Sequence, residues 1–109
     1  MPDYILIFIT TGSHQEAEKL AKTLVEKKLA ACGTIVPDVR SVFRWKGTIE
    51  SEPEVLLMLK SRATVFPTII QIVKSLHSYD VPEIIALPII AGSEEYLSWI
   101  DEETQYIQD

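Results

Sequence analysis

Cysteine is almost absent from this sequence: Cys32 stands alone, so the chain can close no internal disulfide and needs no oxidising compartment. Basic side chains are the scarcer charge, with Lys+Arg 10 against Asp+Glu 16 and a formal net charge of −6. That balance lacks the basic patch a nucleic-acid backbone demands, which excludes the nucleic-acid binders. No apolar run approaches the roughly 18 residues of a membrane span, so no membrane partner is expected. Glycine is also sparse, and Thr10-Thr11-Gly12-Ser13 has too little of it for a phosphate-cradling loop. No G-x-S-x-G elbow, no H-E-x-x-H pair and no cysteine with an evident histidine base occurs, and residues 11–15 contain no arginine for acylphosphatase-like chemistry. A non-enzyme is therefore expected. The opening Met1-Pro2-Asp3-Tyr4 has neither the positive leader nor the cleavage site of a secretory signal, so a cytoplasmic location is the expectation.

What the chain does have is apolar surface. Its 109 residues are 47% hydrophobic, enough for one domain spanning 1–109 and for some burial between subunits. Tyr4 to Ile9 is almost wholly β-branched or aromatic and reads as a central strand. Ser13 and Glu16 form a capping box ahead of Ala17, Leu20, Ala21, Leu24 and Val25 at helical spacing, predicting a helix from about Ser13 to Lys28. A second strand is expected from Ala30 to Val36, with Pro37-Asp38 as a break or bulge before extended character resumes over 41–45, and Lys46-Gly47 as a turn. Glu50-Ser51-Glu52-Pro53 reads as an acidic interruption before a third dense strand, Glu54 to Leu59. Thr64 is the expected cap of a second helix with Phe66, Ile69, Ile70, Val73 and Leu76 inward. Glu83 to Ile90 reads as a last strand, at an edge because of Pro88, and Ser93 caps a terminal helix carrying Tyr96, Leu97 and Ile100.

The order β-α-β-β-α-β plus a terminal helix fits an α+β, ferredoxin-like split β-α-β sandwich. Right-handed crossovers then place both main helices on one sheet face. The other face needs a cover, from the terminal helix or from neighbouring subunits, and this favours an oligomer. The same topology gathers Thr10, Trp45, His77 and Tyr79 at one end of the domain and sends Cys32, Lys60 and Arg62 to the other. His77 is a candidate metal ligand through its neutral imidazole, although a helix C-terminus suits a histidine without any ligand. Cys32 is a candidate soft ligand or a small core residue. Trp45 and Phe43 can line a cleft or pack against another subunit, and Lys60 with Arg62 can hold an anion or simply end a strand in solvent.

Lys28-Leu29-Ala30-Ala31-Cys32, Ile35-Val36-Pro37 with Val39-Arg40-Ser41-Val42, Trp45-Lys46-Gly47, the run from Leu76 to Pro88, and Tyr96-Leu97-Ser98-Trp99 follow one another along the chain. Together these segments resemble the CutA family of divalent-ion tolerance proteins. The resemblance implies a cytoplasmic homotrimer similar in architecture to PII signalling proteins, linked to tolerance of divalent cations and of copper(II) in particular. Copper-binding members carry a cysteine at the end of the first strand and paired histidines after the second helix. Here Ile9 and Leu76-His77 stand at those positions, so His77 alone carries over and a modest affinity is expected. Cys32 matches a cysteine typical of the family. Trp45, Tyr79, Glu83 and Trp99 match family positions expected at clefts between subunits, with Lys60 as a further cleft candidate. The rival expectation is a signalling or scaffold trimer that binds a small anionic metabolite or a partner protein in those clefts.

Overall fold

A computed structural model describes residues 3–107. Strands β1 (Tyr4–Thr11), β2 (Cys32–Trp45), β3 (Thr48–Arg62) and β4 (Ile84–Pro88) form one sheet in the order β2-β3-β1-β4. Both β2 and β1 run antiparallel to β3, and β4 runs antiparallel to β1, so β1 and β2 are parallel with β3 between them. The helices are α1 (His14–Glu26), α2 (Phe66–Leu76) and α3 (Glu94–Glu103).

Successive side chains of a strand point to opposite faces, and β1 shows it: Ile5, Ile7, Ile9 and Thr11 are buried while Tyr4, Leu6, Phe8 and Thr10 are half-buried. The buried set meets Leu57 and Leu59 of β3, Leu20 and Leu24 of α1 and Ile69 and Val73 of α2, in one core on the helical side of the sheet. Complete burial of each such aliphatic contributes about 1.5–3 kcal/mol. The opposite face carries Leu6, Phe8, Leu56, Met58, Ile85 and Leu87 in register, none of them buried. Helix α3 covers one end of this face, where Arg62 donates from Nε to the Thr104 hydroxyl at 2.8 Å and Ile100 is buried.

Local chemistry accounts for the element ends. Ser13 caps α1 by accepting from the Glu16 N–H at 3.1 Å, and Ser93 caps α3 by accepting from the Tyr96 N–H at 3.3 Å. The Lys46-Gly47 turn has φ values of 49° and 81°, the pairing of two left-handed residues that suits the twist of a two-residue hairpin. Pro88 lies on β4, an edge strand, as its missing donor requires.

Of the two expectations at Pro37-Asp38, a break or a bulge, the bulge holds: the second strand runs on through a register shift between Val36 and Val39, with Asp38 at φ 59°. Three expectations are corrected. The acidic stretch Glu50–Pro53 is no interruption; it is part of the 15-residue β3 and paired with β2. Since β1 reaches only to Val55, Pro53 has no strand on its other side and its missing N–H costs no ladder bond there. Thr64 caps nothing: a 3-10 turn over Ala63–Val65 leads into α2, which starts without a side-chain cap. Val25 is 41% exposed, because it stands one position past Leu24 on the helix and turns away from the core.

Candidate functional site

At the hairpin end of the domain, β2 and β3 extend beyond the rest of the sheet, and the segment between α2 and β4 folds against them. The space between is a cleft of about 960 Å³. Its β3 wall is built by alternation: Glu50, Glu52 and Glu54 share one side of the strand, with Phe43 opposite Glu50 and Trp45 two residues on. Tyr79, Asp80 and Glu83 form the other wall. Among the described residues five carboxylates therefore line the cleft, and no Lys, Arg or His does.

Two residues fix the floor. Glu54 is only 8% exposed and accepts a hydrogen bond from the Tyr79 hydroxyl at 2.8 Å. Burial of the ring, then this bond and the Glu54 charge, push the Tyr79 phenol up to about 12, so it stays a donor at every physiological pH.

Behind Tyr79 lies His77, its imidazole 0% exposed. The ring nitrogen Nε2 is 2.8 Å from the Thr10 carbonyl oxygen, which can only accept, and Nδ1 is 3.0 Å from the Tyr79 amide, which can only donate. These partners set the tautomer as Nε2–H and occupy both nitrogens. Glu16 completes the arrangement, accepting from the Ser78 N–H at 2.8 Å and the Gly12 N–H at 3.3 Å, with Oε2 3.6 Å from His77 Nδ1. Burial alone would raise the Glu16 carboxyl, but the bonds from Ser78 and Gly12 and the nearby His77 together hold it below its usual value.

The structure thus brings Trp45, Tyr79 and Glu83 together at one cleft with Thr10, and seats His77 beneath them rather than in the wall. The expectation of His77 as a metal ligand meets a ring with no free lone pair: ligation requires it to release the Tyr79 amide. Cys32, Lys60 and Trp99 lie at the other end of the domain. Lys60 Nζ donates to the Thr34 hydroxyl at 3.1 Å and stands 3.9 Å from Cys32 Sγ. Arg62 is spent on α3, through Thr104 and through Asp101 at 3.7 Å. Trp99 stacks on Tyr96 at 5.4 Å, and burial followed by the neighbouring Cys32 raises the Tyr96 phenol. Among the described residues no three His, Cys, Asp or Glu side chains converge closely enough to hold a metal ion. Glu50, Glu52 and Glu54 were not among the sequence candidates; their two-residue spacing is the signal that points to a shared strand face.

This arrangement defines a mixed α+β protein with an antiparallel sheet open on one face and an acidic cleft at one end. The CutA1 divalent ion tolerance protein family matches residues 5–103, and the chain belongs to that family. It is 46% identical over 99 residues to a divalent-cation tolerance protein CutA of Thermus thermophilus, covering 91% of this chain and 96% of the relative. A CutA of Archaeoglobus fulgidus is 48% identical over 96 residues, 88% of this chain and 93% of the relative. The solved Thermus thermophilus structure superposes with a TM-score of 0.91 at 46% identity, covering 93% of this chain and 98% of that one. Against the plant and animal relatives the chain spans little more than half, 56% of a chloroplastic CutA of Arabidopsis thaliana and 57% of a human CutA. No helix among the described residues is long and apolar enough to cross a membrane.

Proposed function

We propose that this chain is a non-enzymatic homotrimer serving divalent-cation tolerance, and that it attracts cations weakly at the acidic cleft. The observation that carries the reading is the set of five carboxylates lining one cleft without a basic side chain. Their summed field concentrates cations, and their spread keeps any single ion from being tightly chelated. The same charge disfavours an anionic metabolite there, and the expected anion-holders Lys60 and Arg62 are engaged elsewhere. Trimerisation is supported by the uncovered apolar face, and the strand order β4-β1-β3-β2 supports a ferredoxin-like subunit similar to PII proteins. The cytoplasm is the proposed compartment, on the lone cysteine. Some relatives are named for other places, chloroplastic in Arabidopsis thaliana and periplasmic in Archaeoglobus fulgidus, so cell fractionation decides it.

Copper(II) titration by calorimetry, on protein whose mass in solution is known, tests the proposal. Weak saturable binding that is lost when Glu50, Glu52 and Glu83 are changed to glutamine supports it. Binding that survives those changes and vanishes in Cys32→Ser moves the site to the other end of the subunit. Absence of any binding sinks the metal part of the reading.

A further inference from the structure

We infer that the projecting hairpin of one copy lies across the open sheet face of the next and sets Arg40 and Arg44 against that neighbour's cleft carboxylates. The inference rests on the proposed trimer and names the residues a neighbour contributes to the cleft. Glu54 stands two residues before Leu56 on the same side of β3, so the acidic cleft continues the apolar row of Leu6, Phe8, Leu56 and Met58. A copy that covers the row therefore also takes water from the carboxylates beside it. Burying carboxylates without counter-charges is costly, so the covering surface has to bring cations of its own.

The hairpin carries them. Register alternates along it: Ser41 pairs with Glu52 and Phe43 with Glu50, while Arg40 pairs with Pro53 and Arg44 with Ile49. Both arginines thus stand on the side of the ribbon away from the glutamates, exposed, and neither forms an ion pair among the described residues. Arg40 Nη1 donates to the neutral Ser51 hydroxyl at 3.1 Å. Acidic and basic side chains on opposite faces of one two-stranded ribbon cannot meet within a chain. They meet head to tail between copies, the kind of contact that closes into a ring. Residues 48–54 of β3 run beyond the last β1 pair at Val55, a reach of roughly 20 Å at about 3.3 Å per residue. Other basic side chains are placed less well: Lys60 and Arg62 are engaged with Thr34 and Thr104, Lys46 stands 6.0 Å from the Trp45 ring centroid, and the remaining lysines lie on or next to α1 and α2, on the other side of the sheet. Arginine also suits the receiving wall. Its planar guanidinium bridges a carboxylate bidentately and stacks on aromatic rings, and Trp45 and Phe43 are 47% and 39% exposed there. Ile49, 66% exposed and cross-strand from Arg44, adds an apolar contact. Two guanidiniums do not neutralise five carboxylates, so the cleft keeps its attraction for cations.

Sedimentation equilibrium of the full chain over a dilution series tests this, with the melting temperature at fixed concentration as the readout for a trimer too tight to dissociate. Arg40→Glu with Arg44→Glu is expected to weaken association about tenfold or more, or to lower the melting temperature, because attraction across the interface becomes repulsion. Adding Glu50→Arg with Glu52→Arg exchanges the two signs and is expected to restore association to within about threefold of the parent. Lys19→Glu with Lys22→Glu, on exposed α1, changes the net charge as much as the hairpin pair and leaves association unaltered. If the doubly reversed hairpin loses its helical signal, Arg44→Glu alone replaces it, with a loss of about threefold expected. The inference is overturned if charge reversal changes neither the mass nor the melting temperature, if the α1 pair weakens association as much as the hairpin pair does, or if the exchanged variant recovers none of the loss. A parent that stays monomeric at every concentration removes the trimer reading and this inference together. A parent trimer indifferent to the charge at Arg40 and Arg44 removes this inference alone.

Discussion

The His77 imidazole and the Thr10 carbonyl oxygen, 2.8 Å apart, tie the end of α2 to the end of β1 across 67 residues of chain. The ring holds a second backbone group, the Tyr79 amide, on its other nitrogen at 3.0 Å. A single side chain therefore satisfies two main-chain groups, one near the end of β1 and one just past α2. Replacing it with alanine leaves a donor and an acceptor to find other partners, which costs about 2–4 kcal/mol. Urea unfolding of His77→Ala at neutral pH should show that loss. A change below about 0.5 kcal/mol would mean that water replaces the ring at both positions. The consequence for metal titrations is direct, because a signal lost in His77→Ala reports a damaged cleft wall as readily as a lost ligand.

Glu16 sets the acid side of the stability profile. Its carboxyl lies below the usual value in the folded chain, so the ionised form is bound more firmly by the fold than by the unfolded state. The stabilisation is fully present above pH 4.5, the unperturbed value, and is lost as pH falls through the folded value. Glu16→Gln is therefore expected to melt at lower temperature than the parent at pH 7, and the gap should narrow on acidification below pH 4.5. Thermal melts at stepped pH check this; a gap that is constant with pH would assign the loss to amide geometry instead of charge.

Close packing of α1 on β2 rests on Gly33. A Cβ placed there would stand 2.9 Å from Ala21 Cβ and 3.1 Å from Leu59 Cδ2, and the alanine methyl belongs to a helix that cannot step aside alone. Gly33→Ala should cost about 1–3 kcal/mol, the range for overpacking a filled core. Gly12 provides the contrast, since a Cβ there meets only the Tyr79 side chain, whose hydroxyl is nearest at 3.4 Å. Gly12→Ala should change stability little, and denaturant midpoints of the two variants side by side will show whether the asymmetry holds.

These relationships were unequally legible in the sequence. The helical periodicity of Ala17, Leu20, Ala21 and Leu24, the Ser13 and Ser93 caps and the edge position implied by Pro88 are local signals, and the structure realises each. Topology then carried further than propensity: strand order alone set Thr10 and His77 at one end and Cys32 at the other. The misreading of the third strand has a tertiary cause, strand pairing that overrode a local rule. Pro53 reads as a strand breaker, yet β1 stops at Val55 and leaves that side of β3 unoccupied. Once the segment was read as an interruption, the alternation of Glu50, Glu52 and Glu54 lost its meaning and most of the cleft's charge was missed. The commitment of both His77 nitrogens depends on the placement of Thr10 and Tyr79 to within a hydrogen-bond length, which no spacing in the sequence encodes.

Assembly offers the most demanding prediction, because it concerns a surface and not a contact. Ile85 pairs with Phe8 and Leu87 with Leu6, so β4 adds two exposed aliphatics, 49% and 43%, to the half-buried row of Leu6, Phe8, Leu56 and Met58. Among the described residues of a lone chain, nothing covers this row beyond the end held by α3. In a trimer each chain would bury it, and every subunit's stability would then depend on protein concentration. A dilution series should lower the melting temperature if the trimer dissociates within the range tested. Ile85→Glu puts a carboxylate into the row without touching the core on the helical side, so the mass in solution should fall from three chains to one while the helical signal is retained. A parent protein that is monomeric at all concentrations, with a melting point indifferent both to dilution and to Ile85→Glu, would show that the open face stands in water and that the trimer reading is wrong.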